Sequence, residues 1–284
     1  MNIAVNTQHL IKDRLEGIGR FSYELLKRIT KDHPEHRFYF IFDRPWDEEF
    51  IFGDNVTPLR TYLPSRHPFL WYLRFHFALP SLLRKYKIDL YYSPDGWGVT
   101  SPVTSVISLH DINFIHHPEQ LPYWTSRYYH RFFPKYARCA TALTTVSSFS
   151  RSDIAQQFQL REEKISIVPN AVSPGFKPIS VQMRQEASQR WATGMKYFVF
   201  VGALNPRKNI GRLLQAFDAF SARQKDTDHH LVIIGQPMWA TEPMKKAWNE
   251  MQFSSHVHFT GRLSEAELQQ CMAGAEALLM PSLF

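Results

Sequence analysis

Tyr197-Phe198-Val199-Phe200-Val201-Gly202-Ala203-Leu204-Asn205-Pro206-Arg207-Lys208-Asn209-Ile210-Gly211 is the stretch whose reading decides the fold. A β-branched and aromatic run ends at Gly202, and a short loop carries Asn205 and Pro206. Two adjacent cations follow, and then Ile210, Leu213, Leu214 and Phe217 recur at helical spacing. The pattern reads as a buried strand, a turn and the first turn of a helix. Such a junction aims unpaired backbone N–H groups and the positive end of a helix dipole at one spot. Arg207 and Lys208 add full charges there, and an arginine grips two phosphate oxygens at once. The stretch suits a diphosphate clamp. A solvated helix start with two surface cations would carry the same residues.

Outward from it, strand patterns alternate with helical ones. Strands are expected over residues 3–6, 37–42, 88–94, 104–109, 142–146 and 164–168, with a short one near 56–59. After the opening stretch they are expected over 230–235, 256–260 and 277–280. Helical spacing runs through Phe21, Leu25, Leu26 and Ile29, and over 67–87 in pieces flanking Pro80. Long or polar helices are expected over 123–142, after Ser147, before Met195, and over 242–251 and 264–272. Alternation of this kind implies an α/β fold with parallel sheets. Pro174, Gly175 and Pro178 mark a boundary, giving domains 1–174 and 175–284.

The chain has 284 residues, 44% apolar and 21% charged, the composition of a globular protein. No apolar run is long enough to span a bilayer. Met1-Asn2-Ile3 opens directly as a strand with no basic region before an apolar core, so no signal peptide and a cytoplasmic location are expected. Cys139 and Cys271 fall in helical patterns and are expected buried and unpaired. Of the net charge of +7, residues 55–140 hold ten Lys or Arg against Asp89, Asp95, Asp111 and Glu119, an excess of 6. Aromatics are interleaved with these cations. That suits an anionic partner, a membrane surface or a phosphorylated ligand. No nucleic-acid motif accompanies it, so no nucleic-acid partner is expected. Residues 67–87, with Trp71-Tyr72, read either as a core-facing helix whose cations reach outward or as a basic face lying on anionic lipid.

Two further groups are candidate site residues. Gly17 and Gly19 allow a tight turn and close approach to a ligand at a helix N-terminus, as well as a plain turn. The strand over 104–109 delivers His110-Asp111 at its carboxyl end, where open parallel sheets bind ligands. A histidine there suits acid, base or electrostatic work; a strand-end cap is the alternative. His116 and His117 follow without a convincing zinc ligand set. Ser147 reads as a helix N-cap.

Taken together these motifs resemble family 4 retaining glycosyltransferases of the GT-B fold. Gly17-Ile18-Gly19-Arg20-Phe21 resembles the family's glycine-rich loop, and His110-Asp111 its histidine-bearing strand end beside the transferred sugar. Residues 145–150 and Val168-Pro169-Asn170-Ala171-Val172 resemble two fold signatures, and residues 201–209 its phosphate-binding stretch. The resemblance implies two Rossmann-like domains facing a cleft, the N-terminal one taking the acceptor and the C-terminal one the nucleotide-sugar donor. It implies catalytic roles for His110 and Asp111, a diphosphate site at Gly17, Gly19, Arg207 and Lys208, and a donor-site lining of Gly202 and Asn170. Arg207 and Lys208 would then face His110 across the cleft. It implies no metal or cofactor, a donor such as GDP-mannose or a UDP-sugar, and a glycan or lipid-linked acceptor, with peripheral contact at an anionic membrane.

Two positions depart from the pattern. Ala203 stands where many members carry arginine, and Pro281-Ser282-Leu283-Phe284 stands where the family continues into a glutamate-rich donor loop. The second domain is accordingly expected to be incomplete and the 284-residue chain to turn over little substrate. The alternatives are a non-catalytic nucleotide- or lipid-binding remnant and a GT-B epimerase.

Overall fold

The computed structural model describes residues 1–15, 17–63, 67–223, 229–237 and 242–283. Arg66, one of the ten cations counted over residues 55–140, and Phe284 lie outside them. The chain divides into two units, Met1–Asn170 and Ala171–Phe284.

Among its described residues the first unit holds seven strands: β1 (Asn2–Asn6), β2 (Arg37–Phe42), β3 (Val56–Arg60), β4 (Leu90–Ser93), β5 (Thr104–Ser108), β6 (Ala142–Thr145) and β7 (Ile165–Ile167). All pair in parallel, in the order β3-β2-β1-β4-β5-β6-β7. The α-helices accompanying them among the described residues are α1 (Gly17–Asp32), α2 (Pro68–Leu73), α3 (Leu79–Lys85), α4 (Asn113–His116), α5 (Tyr123–Cys139) and α6 (Ser148–Phe158). The second unit carries α7 (Val181–Ala192), β8 (Lys196–Val201), α8 (Ile210–Arg223), β9 (His229–Ile234), α9 (Glu242–Asn249), β10 (Val257–Gly261), α10 (Glu265–Gly274) and β11 (Ala277–Leu278). Its four-stranded sheet is also parallel, in the order β10-β9-β8-β11.

The near-continuous apolar run of β8 follows from burial on both faces of a parallel sheet. Tyr197 and Val199 pack with Trp191 and Cys271 on one side, and Phe200 packs with Leu214 and Phe217 on the other. β2 repeats the device, Phe38 and Phe40 packing with Val5 and Leu26 while Ile41 joins the opposite core with Phe75 and Tyr91. Where β8 and β9 leave the sheet the backbones nearly touch. A Cβ on Gly235, whose φ is +148°, would lie 1.9 Å from the Gly202 carbonyl oxygen, so only glycine fits. Ser147 and Ser264 cap α6 and α10, the latter in a reciprocal capping box with Glu267.

Several expectations are corrected. Pro80 does not separate two helices; it is the second residue of α3 in a helical run that continues unbroken from a π-helical turn over Arg74–Ala78. The cations of this segment do not all point outward, because Arg74 is completely buried. The helix begun at Tyr123 ends at Cys139, whose side chain is exposed. Cys271 is buried as expected, and burial pushes its thiol up to about 11. Among the described residues no helix is long and apolar enough to cross a membrane.

His230 of β9 and His258 of β10 share a 2.8 Å hydrogen bond, with His256 stacked 4.8 Å from His230. Desolvation, followed by the neighbouring His258 and His256, pulls His230 down to about 4, and burial lowers His258 as well. Between about pH 6.5 and 4 the unfolded chain therefore binds more protons than the folded one, and stability falls as pH falls through that window. Thermal melts should show a lower midpoint at pH 5 than at pH 7, with a smaller gap in His230→Leu. An unchanged gap in that variant would place the acid sensitivity elsewhere.

Candidate functional site

In a parallel sheet every loop that follows a strand leaves from the carboxyl edge, and ligands bind where the strand order reverses. The first sheet reverses between β1 and β4, the second between β8 and β11. Each reversal gathers candidate residues.

At the first reversal the chain buries charge. The Arg74 guanidinium, fully enclosed, donates to Gln8 Oε1 and Asn6 Oδ1 at 3.2 Å each and lies 3.9 Å from Asp43 Oδ2. Asn6 and Gln8 in turn donate to the Asp95 carboxylate at 3.0 and 2.8 Å, and the Ser93 hydroxyl donates to it at 2.7 Å. Burial lowers the pKa of Arg74, opposed by Asp43, Tyr91 and Asp95. The network occupies the ends of β1, β2 and β4, and it presents His9 at its rim. His9 Nε2 lies 3.4 Å from Asp95 Oδ2, and the ring is 42% exposed.

The remaining candidates of this unit pack onto that rim. A Cβ on Gly19 would lie 2.6 Å from the His9 carbonyl oxygen, so the glycine lets α1 close on the loop after β1. Phe21 meets the His110 ring edge-on at 4.7 Å. His110 Nε2 lies 2.8 Å from the Pro94 carbonyl, which can only accept; Nε2 therefore carries the proton and Nδ1 is left for other work. Gly17 and Gly19 do not form a turn ahead of the helix; both lie within the first turn of α1, Gly17 exposed and Gly19 buried. Asp111 is exposed and accepts from the Asn113 N–H at 3.0 Å, one position ahead of Ile112, the N-cap of α4. His116 is bound to Asp153 at 2.9 Å. Asn170 is exposed, the last residue of this unit.

At the second reversal Arg207 and Lys208 are not in the first turn of α8. They form a separate 3₁₀ turn, Pro206–Lys208, opened by Asn205, whose side chain accepts from the Lys208 N–H. Asn209, in the left-handed conformation, closes the turn before α8 starts at Ile210. Asn209 Nδ2 donates to the Pro281 carbonyl at 3.2 Å, and the Leu283 N–H donates to the Arg207 carbonyl at 2.9 Å, so the segment after β11 secures the cationic turn. Gly202 takes φ +156°, a backbone conformation that side-chain-bearing residues rarely adopt, and the Lys208 stem passes beside it, Cε 3.7 Å from where a Cβ would stand. A pocket of about 270 Å³ opens on the other flank of the turn, between Asn205, Asn209 and Pro243, and neither cation lines it.

Sequence reading missed Asn6, Gln8, His9, Asp43 and Arg74 and counted Asp95 only as charge. A signal existed in the polar residues placed directly after buried strands: Asn6-Thr7-Gln8, Asp43, and Ser93 with Asp95.

A glycosyltransferase family 4 model matches residues 15–176, and a glycosyl transferases group 1 model matches 181–284. The chain is 27% identical to O-antigen chain mannosyltransferase B of Escherichia coli over 96% of its length and 74% of that protein's. It is 24% identical to O-antigen chain mannosyltransferase RfbU of Salmonella typhimurium, over 81% of this chain and 60% of that one. Its backbone matches WaaG, a glycosyltransferase involved in lipopolysaccharide biosynthesis, with a TM-score of 0.71 at 17% identity, covering 99% of this chain and 75% of that one. Anabaena HepE, solved with UDP and glucose, matches with a TM-score of 0.70 at 16% identity over 99% and 74%. These are GT-B proteins, and the chain shares their fold.

Arg74→Met should cost about 2–5 kcal/mol, because it leaves the Asn6 and Gln8 amide oxygens without their donor in a dry site, while Asp43 keeps its bidentate pair with Arg44 at 2.8 and 3.0 Å. Denaturant unfolding measures it. A loss below about 1 kcal/mol, the value for an exposed pair, would show that the network is solvated.

Proposed function

The chain belongs to glycosyltransferase family 4, and from that premise we propose that it moves a mannosyl group from a nucleotide-sugar such as GDP-mannose, rather than a UDP-sugar, to a hydroxyl of a glycan or lipid-linked acceptor, with retention at the anomeric carbon. The mannosyltransferase relatives support the sugar. The arrangement that carries the reading is the Asn205-capped cationic turn at the β8–β11 reversal, anchored by residues 281–283.

Sugar transfer passes through an oxocarbenium-like state while negative charge grows on the leaving diphosphate. Arg207 and Lys208 stabilise that charge, and the reaction then requires no metal; the first-turn amides at Gly17 and Gly19 are proposed as anion donors of the first unit. Loss of one such donor typically costs about 3 kcal/mol of barrier. His110, its Nε2 committed to Pro94, offers Nδ1 to a hydroxyl of the transferred sugar. His9, braced by Asp95, is placed to orient an acceptor hydroxyl. Asp111 contributes by holding the Asn113 N–H at the start of α4, and Gly202 by taking the positive φ with which the chain leaves β8. Asn170 is proposed for the donor side, which begins one residue later. A cytoplasmic enzyme with peripheral membrane contact fits the exposed Phe69, Phe77, Tyr123 and Trp124 and the exposed cations Arg84, Lys85 and Arg127.

Calorimetry with GDP, UDP, GDP-mannose and UDP-glucose tests this without turnover. GDP and GDP-mannose should bind, and Lys208→Ala should weaken both about tenfold or more, the worth of one hydrogen bond to a charged group. His110→Ala should weaken GDP-mannose and leave GDP unchanged. Absence of binding by all four ligands, or equal binding by both variants, would contradict the assignment.

A further inference from the structure

α1 hands over to β2 through His33-Pro34-Glu35-His36, at the amino edge of the first sheet, the edge away from His110. Three side chains converge there. His33 Nδ1 lies 3.2 Å from Glu35 Oε1, and His36 Nε2 lies 3.6 Å from the same oxygen. One ligand atom from each residue lies within 4.8 Å of the others, and the two rings stack 12° from parallel with centroids 5.7 Å apart.

These separations have a chemical meaning. A tetrahedral ion with bonds of about 2.0–2.1 Å holds its ligand atoms about 3.3–3.5 Å apart. The two contacts to Glu35 straddle that value. The histidine cluster of the second sheet fails the same criterion: His230 and His258 nitrogens meet at 2.8 Å, which is a hydrogen bond and closer than two ligands of one ion.

The turn is also held in place before any ion arrives. The His33 N–H donates to Ile29 and the His36 N–H to His33, while Arg37 N–H donates to Met1. Asn55 Nδ2 reaches across from the start of β3 to the carbonyls of Thr30 and His33 at 3.0 and 3.3 Å. Pro34 fixes one more dihedral. The His36 ring leans on Phe38 with its Nδ1 buried, so Nε2 is the nitrogen that faces the cluster. An ion here orders little that is not already ordered. It would also sit at the carboxyl end of a sixteen-residue helix, where the dipole favours positive charge.

We propose that His33, Glu35 and His36 form a binding site for a divalent transition-metal ion of the zinc type, with water in the fourth position. Two imidazole nitrogens and one carboxylate suit zinc, nickel or cobalt; calcium and magnesium require more oxygen ligands than the turn supplies. The ion clips the end of α1 to the start of β2. It lies outside the sugar-transfer machinery, and the site stands whether or not that reading does.

The test is zinc chloride titrated into chelator-treated full-length protein at pH 7.5 in a non-coordinating buffer. Calorimetry should report one ion per chain at this site, and the thermal midpoint should climb with the logarithm of zinc concentration. His33→Ala and His36→Ala should each abolish that binding, and lowering the pH to about 5.5 should weaken it as protons compete for the imidazoles. Circular dichroism confirms that the variants fold, and anomalous diffraction at the zinc edge should place the ion between the three side chains of the unaltered protein. Failure to bind up to millimolar zinc overturns the proposal. So does binding that persists unchanged in the double variant, or an anomalous peak at another place.

Discussion

Every strand of both sheets runs parallel to its neighbours, and that one constraint distributes the chemistry of the molecule. Parallel pairing sends each strand-to-helix loop to the same edge, and the reversals of strand order keep two places on that edge from being covered by a crossover helix. At the first reversal the protein buries Arg74, Asp43 and Asp95 together, and buried ion pairs of this kind are often replaceable by apolar side chains of similar volume without loss of stability. What the charges hold is position. Asp95 receives three buried donors and braces His9, while the neighbouring Pro94 carbonyl orients His110. At the second reversal no charge is buried among the described residues. A capped 3₁₀ turn lifts Arg207 and Lys208 out of the helix and ties them to the segment after β11.

The two units thus solve different problems with one topology. The first orients neutral and weakly basic groups on a rigid polar floor, as recognition of sugar hydroxyls requires. The second concentrates positive charge where a diphosphate would accumulate it.

Much of this was legible in the residues. The unbroken run through β8 can only be a strand buried on both faces, and Gly202 and Gly235 mark where two backbones converge. Asn205-Pro206 and Asn209 signalled the 3₁₀ turn, since an Asx cap, a proline at the first position and a residue able to adopt positive φ define its start and end; reading the cations directly into α8 overlooked them. The burial of Arg74 was not legible. An arginine among aromatics looks the same whether its head reaches water or a carboxylate, and its partners Asn6, Gln8 and Asp43 lie far away in sequence. Cys139 was misplaced for a related reason, because helical spacing near an element's end does not say which face the last residue takes. The glycine pair of α1 was seen, but its reason was not: Gly19 answers to the His9 carbonyl, a contact made only once β1 and α1 have packed.

The account rests on ligand chemistry gathered at the carboxyl edges of both sheets. Amide hydrogen exchange with and without GDP-mannose tests it most directly. The account predicts slowed exchange over residues 202–209 and 281–283 and around Gly17, Gly19 and His110, with residues 33–36 and 254–256 at the amino edges unchanged. Protection confined to those amino-edge turns, or none at the carboxyl edges despite measurable binding, would contradict it.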